Sequence, residues 1–157
     1  MSRSHASALL WHRRTFLAAA GAAVSLSLLP LRAMAEPEDA EDAVRKLFGN
    51  RPIREGKVTL KLPPIAENGN SVQLTVSVES PMTEKDHVRR IAIISPRNPI
   101  PEIAIFSLSP ASGRAEISTR VRLAGTQSLR VVAEMSDGSL WSGKASTYVT
   151  LAACIIG

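Results

Sequence analysis

From residue 57 to residue 151, apolar side chains return at every second position, in short runs broken by proline, glycine and asparagine. A period of two puts alternate residues on opposite faces, so each run reads as a strand with one face toward a core. The segment 57–62 alternates through Val58, Leu60 and Leu62 and is stopped by Pro63-Pro64. Glu67-Asn68-Gly69-Asn70 is a turn, and Val72, Leu74, Val76 and Val78 follow as a half-buried strand. Residues 88–95 form another strand, with Ile91, Ile93 and Ile94 making one face apolar and the other partly so. The segment 96–101 is a proline-rich loop, because proline cannot donate to a ladder. Ile103, Ile105 and Leu108 mark the next strand, and Pro110-Ala111-Ser112-Gly113 the next turn. Ala115, Ile117, Thr119, Val121 and Leu123 then alternate against polar neighbours. The strand 129–135 ends in the hairpin signal Ser136-Asp137-Gly138. A last strand, 139–151, carries Gly143 and Ser146 as candidate bulge positions.

Ahead of the strands, the segment 37–48 reads as a short helix. Acids crowd its first turn, bases its last, and Gly49 stops it. Ala40, Val44, Leu47 and Phe48 share a face that can dock on a larger body. One helix and six or seven short strands predict an all-β fold, an immunoglobulin-like antiparallel β-sandwich. A partly open barrel is the alternative.

The first 35 residues follow another grammar. Arg3 and Arg13-Arg14 precede an uncharged Ala/Leu run from Phe16 to Leu31, and Ala33-Met34-Ala35 closes it in a small-x-small pattern. This is the layout of an export signal. His12-Arg13-Arg14-Thr15-Phe16-Leu17 is similar to the twin-arginine type, which implies export of a folded protein to the periplasm. An uncleaved signal anchor is the other reading. The expected division is therefore signal peptide 1–35, sandwich domain 36–150 and C-terminal tail 151–157. Segment 1–35 holds four of the 19 basic residues and none of the 14 acidic ones, which leaves 122 residues at net charge +1. That balance gives no electrostatic case for nucleic acid, and nothing after cleavage calls for stable membrane insertion.

Chemistry-bearing residues are scarce. Beyond residue 35 there is one cysteine, Cys154, and one histidine, His87. No ligand spacing for a metal, no nucleophile–base pairing and no glycine-rich phosphate cradle is present, so we expect no metal, no cofactor and no catalytic residue in this chain. His87 reads as a solvated loop residue. Arg114, Arg120 and Arg122 read as the solvated face of one strand, and Arg89, Arg90 and Arg97 similarly. Trp141 and Tyr148 read as core or partner-contact residues. Cys154 stands apart. A thiol without a partner in an oxidising compartment is avoided, used between chains, or used chemically. Its thiolate can attack electrophilic sulfur and hold a sulfur-bearing group. The alternative is a buried, inert cysteine, since Ala152, Ala153, Ile155 and Ile156 around it are apolar.

From Ile65 onward the sequence resembles SoxY, the sulfur-carrier subunit of the periplasmic thiosulfate-oxidising system. The resemblance lies in Ile65-Ala66-Glu67-Asn68-Gly69-Asn70, Val76-Ser77-Val78-Glu79-Ser80-Pro81-Met82-Thr83, Pro110-Ala111-Ser112-Gly113, Glu116-Ile117-Ser118-Thr119-Arg120-Val121-Arg122-Leu123-Ala124, Ala133-Glu134-Met135-Ser136-Asp137-Gly138-Ser139, and Val149-Thr150 leading to Cys154. It implies a sandwich paired with a second sandwich subunit, SoxZ, and a substrate-bearing protein that is not itself an enzyme. Cys154 would carry the sulfur covalently as a cysteine-thiosulfonate and related adducts. A haem enzyme would conjugate thiosulfate to it, a metallohydrolase would release sulfate, and other Sox enzymes would take the remaining sulfur. The tail departs from the family pattern of two glycines on each side of the cysteine. Here Ala152 and Ala153 precede Cys154, and Ile155, Ile156 and Gly157 follow it.

Overall fold

The computed structural model describes residues 37–154. The signal segment 1–35 and the tail residues Ile155, Ile156 and Gly157 lie outside the described residues.

Helix α1 spans Pro37–Phe48, and nine strands follow: β1 Ile53–Glu55, β2 Val58–Lys61, β3 Ile65–Asn68, β4 Val72–Val78, β5 Val88–Ile94, β6 Glu102–Ser107, β7 Glu116–Val121, β8 Gln127–Met135 and β9 Leu140–Leu151. A 3-10 turn, Pro110–Ser112, precedes β7. One sheet has the order β1-β9-β8-β5-β6, with β3 also paired to β9; the other has the order β2-β4-β7. The two sheets face each other as a sandwich, as the alternation predicts. The core between them holds Leu74, Val76, Ile91, Ile93, Leu123, Leu129 and Val131, all fully buried. Each such side chain contributes about 1.5–3 kcal/mol by leaving water. Among the described residues no helix is long and apolar enough to cross a membrane.

The larger sheet is covered on its other face by α1. Ala40, Val44 and Phe48 bury against Ala92, Ile94, Val132 and Leu140. This explains why β5 is apolar on both faces: Ile91 and Ile93 point into the sandwich, Ala92 and Ile94 under the helix. Gly49, at φ 70°, ends the helix by donating to the Arg45 carbonyl at 2.8 Å.

Arg90 does not lie on a solvated face. Its Nη2 donates to Glu134 Oε2 at 2.9 Å and to the Leu47 carbonyl at 3.0 Å, and its guanidinium lies 4.6 Å over the Phe48 ring. Arg51 completes the clamp, donating to Glu134 Oε1 at 2.7 Å and to the Phe48 carbonyl at 2.8 Å. The last helical carbonyls, which have no partner within the helix, are thus met by two arginines that share one carboxylate. Burial pushes the Glu134 carboxyl up, but hydrogen bonds and charge from Arg51 and Arg90 outweigh it and hold it below its ordinary 4.5. A depressed carboxylate stabilises the fold above its unfolded value, and that contribution is lost as pH falls through the folded value. Glu134→Gln should cost about 1–2 kcal/mol at neutral pH, allowing for the partial exposure of both arginines. Thermal denaturation of both proteins checks this: the gap between them closes as pH falls below 4.5 and through the lowered Glu134 value.

Several features depart from the sequence expectation. β1 and β3 are additional short strands, and both pair in parallel with β9. Glu67 and Asn68, expected in a turn, belong to β3. No bulge occurs at Gly143 or Ser146, because β8 and β9 stay in unbroken register from Gln127↔Thr147 to Glu134↔Leu140. Gly143 serves a different purpose. The chain leaves β1 through Gly56 (φ 114°) and Lys57 (φ 56°) and crosses to the other sheet as β2. The Val58 carbonyl then passes so close to Gly143 that a β-carbon there would lie 2.2 Å away. Trp141 packs on the edge of the core beneath Lys57 and Arg54, 4.8 and 5.6 Å from its ring.

Candidate functional site at the C-terminal cysteine

Cys154 is free and exposed. It follows the end of β9, and that end is mounted differently from the rest of the strand. Up to Thr147, β9 is paired with β8. Beyond it, β3 takes over in parallel, with Ile65 opposite Tyr148, Ala66 opposite Val149 and Asn68 opposite Leu151. Thr126 adds a side-chain tie: the Val149 amide donates to its Oγ1 at 2.9 Å. The Tyr148 amide donates to the Pro64 carbonyl at 2.9 Å and the Thr147 hydroxyl to the Pro63 carbonyl at 2.7 Å. Pro63-Pro64, which stops β2, therefore also steers the chain onto β9.

The mount continues past the last strand residue. Gly69 N–H donates to the Leu151 carbonyl at 2.7 Å, and Ala153 N–H donates to the Leu123 carbonyl at 3.0 Å. Ala153 is 8% exposed, whereas Ala152 and Cys154 on either side of it are exposed. The cysteine is thus the first residue beyond the fixed body. Ile65, Tyr148 and Leu151, each about 60% exposed, leave apolar surface on the paired ends of β3 and β9 that lead to the tail.

The other candidate residues do not converge on Cys154. His87 keeps partial access to solvent, with its Nδ1 3.1 Å from the Thr83 carbonyl. Arg114, Arg120 and Arg122 are exposed as expected, and Arg120 donates to the Ser71 hydroxyl at 3.1 Å. Arg97 donates to the Thr126 carbonyl at 3.0 Å. Among the described residues no group of three or more His, Cys, Asp or Glu side chains is placed to hold a metal ion. A free, accessible thiol on a rigid mount can bond to sulfur and be read by another protein; the described residues bring no second reactive group beside it.

A family model, sulfur oxidation protein SoxY, matches residues 44–154 and so ends on the cysteine. The chain belongs to the SoxY family. The solved sulfur carrier protein SoxY from Chlorobium limicola f thiosulfatophilum is 34% identical and superposes with a TM-score of 0.62, covering 73% of this chain and 98% of that one. A superoxide reductase (neelaredoxin) from Ignicoccus hospitalis superposes with a TM-score of 0.53 at 17% identity, over 60% of this chain and 80% of its own. That likeness is one of fold alone. No match is found among curated proteins. The family supports a sulfur-carrier role within the Sox system.

Sequence reasoning picked out Cys154 but not what holds it. Gly69 carried a signal, the Asn-Gly pair of a turn, which does not say what the glycine is for. It is required by close approach of other backbone, not by a left-handed turn. Asn98, in the proline-rich loop, is 3% exposed. Its Nδ2 donates to the Arg122 carbonyl at 2.9 Å and its Oδ1 accepts from the Ala124 amide at 3.0 Å, bracketing Leu123. Gln127 links that loop to Ser95 through a 2.8 Å bond. No local pattern in the sequence announces these partners, which lie 24 or more residues away.

Proposed function

We propose that this protein is a periplasmic covalent sulfur carrier, exported by the twin-arginine pathway, that holds its cargo on Cys154 and acts as a heterodimer with a SoxZ-like subunit. The observation that carries the reading is an exposed, unpaired thiol standing one residue beyond a fixed backbone, at the end of the family match. Loading joins the thiol to thiosulfate. The Cys154 sulfur forms a bond to the outer sulfur of thiosulfate, one proton is released, and two electrons pass to a haem enzyme. A metallohydrolase then adds water to the sulfonate sulfur. Sulfate leaves, the S–S bond stays on the carrier as a persulfide, and two protons are released. The carrier supplies the attachment atom and its presentation, and the other Sox enzymes supply the chemistry. The exposed Ile65, Tyr148 and Leu151 give a partner subunit or a visiting enzyme apolar surface on the β3–β9 end that leads to the tail.

The competing reading, a periplasmic binding or assembly module without carrier chemistry, needs a protected cysteine. The exposure of Cys154 favours the carrier. Intact mass spectrometry of the protein purified from its own periplasm tests this. Sulfur-bearing mass increments on Cys154, with a chain starting near Glu36, are the expected result. An unmodified thiol, both as purified and after thiosulfate with the oxidising haem enzyme, would count against it. Native alkylation gives a quick check: labelling should be fast before unfolding, and labelling only after unfolding would point to the module.

A further inference from the structure

Three backbone segments meet at the base of the tail and close a small circuit of hydrogen bonds. Gly69 N–H reaches the Leu151 carbonyl, Leu123 N–H reaches the Gly69 carbonyl at 2.8 Å, and Ala153 N–H reaches the Leu123 carbonyl. Backbone beyond a last strand frays unless tied down, and this tie is made two residues past Leu151, the end of β9. A β-carbon at position 69 would stand 2.5 Å from the Leu123 carbonyl oxygen and 2.9 Å from the Ala153 nitrogen. Those are the two atoms of the last bond that fastens the tail, so only glycine lets the three segments meet. Asn98 braces the same point from behind by bonding to the residues on both sides of Leu123.

We propose that Gly69 and the Leu123 carbonyl form a latch that positions Cys154, so that the thiol is presented from a short stub and not from a free arm made of the whole 151–157 tail. This rests on the carrier reading above. With the latch closed, the Cys154 α-carbon lies one step of about 3.8 Å from the fixed Ala153. Cargo then stays at the protein surface, within reach of enzyme sites that open directly onto the docked face. With the latch open, the chain peels back to Thr150 and gains three residues, about 10 Å of reach. Opening breaks the Gly69–Leu151 and Ala153–Leu123 bonds, undoes the Asn68–Leu151 pairing at the end of β9 and exposes the Ala153 side chain, a local opening that a docking enzyme can drive by differential affinity. Gly69, Leu123 and Asn98 are positioning residues: they act on the cargo only through the place they give to Cys154.

Cys154 is the chain's only cysteine, so a nitroxide attached to it in the mature full-length protein reports the tail alone. Ala153→Pro removes the donor N–H of the latch at a position beyond the last strand, where no ladder bond is lost. The expected result is a restricted spectrum in the wild-type protein and a narrowed, mobile one in Ala153→Pro, at unchanged Tm. Exchange of the Gly69 amide should speed up about tenfold or more, the fold-change for losing one backbone hydrogen bond, while the β8 amides keep their protection. Gly69→Ala should mobilise the label as well, and if it does not fold, Ala153→Pro decides. A label already mobile in the wild type, or unchanged in Ala153→Pro, overturns the latch. Neither readout uses sulfur chemistry. A wild-type protein that shows the latch but never acquires a sulfur adduct would overturn the carrier reading instead.

Discussion

Cys154→Ser is expected to abolish sulfur loading completely while leaving the fold intact. The side chain is exposed and follows the last fastened residue, so replacing sulfur by oxygen touches no packing. Surface changes of this kind stay within about 0.5 kcal/mol. The chemical effect is of another order, because sulfur–sulfur exchange needs a thiolate and a serine hydroxyl cannot supply one. Intact mass after treatment with thiosulfate and the oxidising haem enzyme should show adducts on the wild-type protein and none on the variant, with matching thermal transitions. In the cell, thiosulfate oxidation that depends on this protein should disappear. A serine variant that still supports sulfur oxidation would remove Cys154 from its assigned role.

The largest structural effect should come from Gly143→Ala. The position is inside β9, where alanine is ordinarily at least as good as glycine. Here the added β-carbon would sit 2.2 Å from the Val58 carbonyl oxygen and 3.0 Å from its carbon, both backbone atoms that cannot rotate away. Relief requires β2 to lift off β9, yet β2 is bound on its other side to β4 from Val58↔Val78 to Lys61↔Thr75. Overpacking typically costs 1–3 kcal/mol, and a rigid neighbour places this site at about 3 kcal/mol or beyond. For a domain of this size that lowers Tm by roughly 10 °C. Calorimetry of the two proteins checks it, and a drop of only about 2 °C would show that the corner between the sheets yields easily.

Gly143 also shows where reading the sequence stops. A lone glycine in a strand pattern signals a bulge or a close approach, and the sequence does not say which. The approach is decided by Gly56 and Lys57, which turn the chain from one sheet into the other far away in sequence. Arg90 is a similar case. Next to Arg89 in a polar stretch it reads as solvated, but its partners are Glu134 and the Leu47 carbonyl, 44 and 43 residues away. The short strands β1 and β3 were illegible for the same reason: three and four residues carry too little periodicity, and each exists because β9 offers it an edge.

What the sequence determined by itself was local or compositional. Alternation set the strands and the sandwich, end charges and Gly49 set the helix, and a cysteine count of one singled out Cys154. These follow from short-range sterics and from which side chains prefer water, so neighbouring residues suffice to state them. The setting of the thiol was decided only by tertiary structure. Ala152, Ala153 and Cys154 look alike as a loose tail, yet the middle one is fastened and the last is free. The reason is that hydrogen-bond donors at a chain end take whatever acceptor the fold brings near. Here Leu123 arrives from one distant turn to accept from the Ala153 amide, and Gly69 from another to donate to the Leu151 carbonyl.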